Sequence, residues 1–101
     1  MTDERKRIVL LAMQQALLGE VSERLRAVEV TWTETRIHFN CYFDGEIDEE
    51  DRESMMRVDT ELVAEFPETH SISHATIRLD YPAPLPQEHL RAFRRREFPL
   101  K

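Results

Sequence analysis

Two neighbouring runs of alternating residues constrain this chain more than any other feature. From Ala27 to Thr33, Val28, Val30 and Trp32 point one way, and Glu29, Thr31 and Thr33 the other. From Arg36 to Phe43, Ile37, Phe39, Cys41 and Phe43 alternate with Arg36, His38, Asn40 and Tyr42. Only Thr33, Glu34 and Thr35 link the runs, so they predict an antiparallel hairpin that is apolar on one face. An apolar sheet face must be covered by a second layer, and the flanking segments supply two helices.

The first helix is expected over Glu4 to Leu25. Leu10, Met13, Leu17 and Val21 form one apolar row, and Leu11, Leu18 and Leu25 a second. Together they are wider than one core-facing stripe. This helix is therefore expected either to be central or to bury its second face against another chain. A second helix should open at Asp48, a good N-cap, and stop before Pro67. Met55, Val58, Leu62 and Phe66 make its buried stripe.

A third strand is expected over His74 to Asp80, with Ala75, Ile77 and Leu79 inward and His74, Thr76, Arg78 and Asp80 outward. Pro82, Pro84 and Pro86 form a stiff link. Leu90 to Arg96 has helical propensity, but its place after a strand and a long turn favours a fourth strand. The second helix brings the chain back, so the third strand should run parallel to the second and antiparallel to the first. The expected fold is a two-layer α+β domain spanning residues 1–101. Both helices cover one face of a three- or four-stranded antiparallel sheet, with the third strand beside the first and any fourth strand beside the third. A chain of 101 residues is the size of one domain.

Charge is the second informative feature. Seven of the ten residues from Asp44 to Glu53 are acidic, and this window carries a net −6, equal to the formal charge of the whole chain. Acids in the first turn of the second helix complement its dipole, but Asp44 and Glu46 lie before that turn. Asp44, Glu46, Asp48, Glu49, Glu50 and Asp51 are therefore the candidate contact for a basic partner. The C-terminal segment is the converse: Arg91, Arg94, Arg95, Arg96 and Lys101 outnumber Glu88 and Glu97. The acidic balance disfavours a free nucleic-acid binder. The arginines are expected to meet the protein's own acidic block or a second chain.

Catalytic signals are sparse. His38, Tyr42, His74, Arg78 and Asp80 would share the uncovered sheet face and are secondary site candidates, capable of acid–base work only if they converge. His38, His70, His74 and His89 have no metal-ligand spacing on an extended chain, and no pattern calls for a cofactor. Cys41 reads as a small buried hydrophobe. Ile8 to Met13 is too short an apolar run to span a membrane. No secretory signal is visible, so a cytoplasmic location is expected.

Three stretches carry a resemblance: RIVLLAMQQALLGEVSERLRAV, HFNCYFDGEIDEEDRESM and ISHATIRLDYP. They resemble small immunity proteins of bacterial polymorphic toxin systems, including contact-dependent growth inhibition and colicin-like systems. The resemblance implies a stoichiometric inhibitor that binds a cognate toxin domain with a basic surface, such as a nuclease, and blocks its active site. Two other readings stand beside it. One is a small enzyme using the polar sheet face; the other is a homodimeric adaptor joined through the first helix.

Overall fold

The computed structural model describes residues 3–97. It contains α1 (Asp3–Leu17), β1 (Leu25–Trp32), β2 (Arg36–Phe43), α2 (Glu49–Glu65), β3 (Ser71–Arg78) and β4 (Leu90–Arg94). The hairpin forms as the alternation requires. β1 and β2 pair antiparallel with Val28 opposite Cys41 and Val30 opposite Phe39. Thr33 closes the turn: its N–H donates to the Arg36 carbonyl, and its hydroxyl accepts from the Arg36 N–H at 3.1 Å.

The sheet is mixed, in the order β3-β2-β1-β4. This corrects the antiparallel arrangement. β3 pairs parallel with β2 rather than lying beside β1, and β4 takes the free edge of β1 rather than lying beside β3. A helix of 17 residues joins two parallel neighbours directly as a βαβ unit. It can then cover the two strands it connects. The fourth strand over Leu90–Arg94 is formed, and its antiparallel pairing closes the second edge of the hairpin.

α1 ends at Leu17, earlier than expected, because Gly19 adopts a φ of 79° and ends the helix in the manner of a left-handed cap. Leu25 consequently belongs to β1. Val9, Met13 and Leu17 pack into the core, while Ile8, Leu11 and Leu18 remain exposed. Within the protomer α1 thus has one buried face rather than two. α2 lies antiparallel beside it. Arg5 sits over the Phe66 ring at the far end of α2, and Glu20 pairs with Arg57 nearer its start. Met55, Val58, Leu62 and Phe66 form the α2 core stripe, as the spacing predicts. They meet Ile37, Phe39, Cys41 and Phe43 from β2.

The phase of β3 is the opposite of that expected. Ile72, His74 and Thr76 lie in register with Ile37, Phe39 and Cys41 and so face the helices. Ala75 and Ile77 face away. The segment is half-apolar on both faces, so alternation alone could not choose the side. Nor is the second sheet face open. β3 and β4 are opposite edges, so the proline-rich connection must cross the sheet between them. Glu29 and Tyr42, expected to be solvated, are only 2% and 6% exposed.

The core depends most on Phe39, which is fully buried and stacks on His74. Phe39→Ala should cost about 3–5 kcal/mol. Thermal denaturation should show one cooperative transition with a melting temperature lowered by many degrees.

Candidate functional site

The acidic segment wraps from the end of β2 into the first turn of α2, and it divides into two classes. Asp44, Asp48 and Asp51 are engaged within the protein. Asp44 accepts the Tyr81 N–H at 3.1 Å and Arg95 Nη2 at 2.7 Å. Gly45, at a φ of 82°, turns the chain so that its N–H reaches Asp80 Oδ1 at 2.8 Å. Asp48 caps α2 by accepting the Asp51 N–H, and its other oxygen accepts Arg24 Nη2 at 2.9 Å. The Asp51 side chain is only 3% exposed and accepts Arg24 Nε at 2.8 Å.

The second class comprises Glu46, Glu49, Glu50 and Glu53. All four are exposed. None has a hydrogen-bond or ion-pair partner among the described residues. Glu46 precedes α2; the others occupy its first two turns. There they meet the helix dipole but also one another, and the field they create faces solvent. Six acids were singled out by sequence, and three of them prove to be framework.

Of the basic residues that make this division, sequence reasoning anticipated Arg95 and missed Arg24 and Arg26. Arg24 holds Asp48 and Asp51 together. Arg95 bridges Asp44 and Glu97 at 2.7 and 2.9 Å, and it also donates to the Glu23 carbonyl. Arg26, 2% exposed at a bulge in β1, binds Glu97 through Nε and Nη2 and the Leu79 carbonyl through Nη1. The basic excess at the C-terminus was the available signal. Arg95 meets the acidic block as expected, and Arg91 lies 3.9 Å from Glu29. Lys101 and Phe98 lie outside the described residues.

The secondary candidates do not converge. His38 faces away from the helices, with Nδ1 2.7 Å from Ser73 Oγ and Nε2 2.9 Å from Asn40 Oδ1. His74 lies on the helix side instead, stacked on Phe39 and 2.6 Å from Asp59. Tyr42 donates to Glu29 at 3.0 Å; burial, reinforced by that carboxylate, pushes its hydroxyl up to about 12. Arg78 and Asp80 pair with each other on the surface. Burial pushes the Cys41 thiol far above its ordinary value. Among the described residues no three His, Cys, Asp or Glu side chains gather as metal ligands. No helix among them is long and apolar enough to cross a membrane.

These features define a small α+β protein with an anionic end and no assembled acid–base centre among the described residues. No curated protein matches the chain. It does match the family described as MafI2 immunity protein over residues 6–97, and the chain belongs to that family.

Two depressed carboxyls tie this region to acid stability. Arg26 holds the Glu97 carboxyl below its ordinary range against the opposing effect of burial. Burial is the largest single effect on Asp51 and opposes its ionisation, but the hydrogen bonds to its carboxylate, led by that from Arg24, together with the Arg24 charge outweigh it and hold that carboxyl low as well. Each group binds a proton more readily when unfolded. The stability it contributes is therefore complete above the unfolded value, about 4, and is lost as pH falls through the folded one. Melting temperatures measured from neutral pH downward should hold steady until the unfolded-state range and then fall. Glu97→Ala should cost about 3 kcal/mol at neutral pH, because Arg26 is left buried without its counter-charge. It should also shrink the acid-dependent loss.

Proposed function

We propose that the protein confers immunity by binding its cognate toxin domain stoichiometrically and blocking the active site. Glu46, Glu49 and Glu50 supply the principal contact, and Glu53 extends it. The observation that carries this reading is that these four glutamates are exposed and unpaired while the neighbouring aspartates are neutralised within the fold. The basic substrate cleft of a nuclease is the target chemistry that suits them. Carboxylates set on a rigid helix start can occupy the places of phosphates, and the local field steers a basic partner into encounter. The protein then acts by occlusion, in the cytoplasm where such a toxin would work, in a system of the contact-dependent growth-inhibition type. His38, Tyr42, His74 and Asp80 do not converge, which gives an enzymatic reading no support.

The test is the triple variant Glu46→Lys, Glu49→Lys, Glu50→Lys, titrated against the cognate toxin domain. Association should slow by about tenfold or more, and its salt dependence should diminish, because exposed charges are screened within about 8–10 Å. The melting temperature should barely move. Unchanged affinity, together with a wild-type association rate indifferent to salt, would remove the acidic end from the contact. Asp48→Ala is the contrasting variant: it should cost about 1 kcal/mol of stability through the lost cap.

A further inference from the structure

β3 has an edge of a kind that soluble proteins usually guard. The Ser71 N–H bonds to the Thr35 carbonyl and the Leu79 N–H to the Phe43 carbonyl, so the odd-numbered residues address β2. The even-numbered residues Ile72, His74, Thr76 and Arg78 then direct their N–H and C=O groups away from β2. No strand or loop among the described residues hydrogen-bonds to them. The strand is eight residues long and its register with β2 is unbroken. It contains no proline, and its one formal charge, Arg78, is paired with Asp80. β4, at the other edge, has five residues and a register shift against β1. Short, irregular edges resist pairing; long, regular ones invite it.

A second observation says what pairs there. Arg52, Met56, Asp59 and Val63 form one stripe of α2 at i, i+4, i+7 and i+11. Arg52 reaches Thr76 at 2.9 Å and Asp59 reaches His74 at 2.6 Å, so this stripe overhangs β3. Met56 and Val63 stand on it 57% and 56% exposed.

We propose that β3 pairs antiparallel with β3 of a second copy, giving a two-fold dimer with a continuous sheet. With Ala75 on the axis, Ile72 faces Arg78 of the second copy and His74 faces Thr76. All four outward residues are then used, no like charges stand opposite each other, and the residue at the closest approach is small. On the helix side the axis passes level with the part of α2 between Arg52 and Asp59, where Met56 lies. Strands about 4.8 Å apart place the two copies of α2 about 10 Å apart, a normal packing distance. Met56 of each copy then meets its equivalent, and two exposed apolar side chains per protomer become covered. An unrelated extended segment would satisfy the strand edge but would leave Met56 and Val63 uncovered.

Sedimentation equilibrium of the full chain across a concentration series tests this. The wild type should approach twice the protomer mass of 12.0 kDa. Ala75→Lys places two ammonium groups on the axis and should weaken the dimer by at least about tenfold. Ala75→Glu should do the same, and mixing the two variants should restore a dimer containing one of each. Met56→Arg, a change at an exposed helix position, should also weaken association while leaving the thermal transition intact, and it decides the matter should the Ala75 variants fail to fold. A wild type that stays monomeric at every attainable concentration overturns the proposal. So does a dimer indifferent to both Ala75→Lys and Met56→Arg, which would place the contact elsewhere, such as the exposed α1 row of Ile8, Leu11 and Leu18.

Discussion

Arg26 is the point at which the second half of the fold is fastened to the first. Its guanidinium is buried, so every N–H that loses water needs an acceptor inside the protein. The acceptors come from two distant places: the carbonyl of Leu79 as the chain leaves β3, and the carboxylate of Glu97 after β4. A charged group inside a small domain thus sets where the proline-rich connection begins and where the segment beyond β4 is held. Arg95 shares Glu97 and passes the connection on to Asp44. The order of the ion pairs explains why the acidic end has a defined shape rather than being a repelling cluster. Desolvating Arg26 is costly, and a hydrophobic replacement of similar volume could be equally stable. It would not specify the path of the chain in the same way.

Legibility in the sequence followed the strength of periodicity. The hairpin and the α2 stripe were readable because Ile37, Phe39, Cys41 and Phe43, and then Met55, Val58, Leu62 and Phe66, each match one period without competition. The end of α1 is obscured because Val21 and Leu25 continue the pattern past Gly19. One left-handed backbone position outweighed two well-placed apolar residues. The phase of β3 is hidden from the sequence for a different reason. His74 looks solvent-facing by type, but Asp59 and the Phe39 ring accommodate it on the helix side. That compensation involves residues distant in sequence, which spacing cannot reveal. The place of β3 beside β2 depended on topology, since a helical crossover favours parallel neighbours.

The candidate site was legible as a charge count but not as a surface. Asp44, Asp48 and Asp51 read the same in sequence as Glu46, Glu49 and Glu50. What separates them is the reach of Arg24 and Arg95, which come from the turn just before β1 and from just beyond β4. The shorter aspartate side chains hold the local geometry, capping the helix and fixing the turn, while the longer glutamates project. Side-chain length gave a hint of this: Asp favours caps and turns, and Glu does not.

The split between the two kinds of acid has a consequence for how such a scaffold can vary. Substitutions at exposed positions without partners usually shift stability by no more than about 0.5 kcal/mol, whereas those that break a buried or capping interaction cost several times that. Glu46, Glu49, Glu50 and Glu53 can therefore be exchanged for almost any polar residue, singly or together, while the fold persists. Asp44, Asp48 and Asp51 cannot. The same backbone can present a different pattern of charge to the outside without being rebuilt inside.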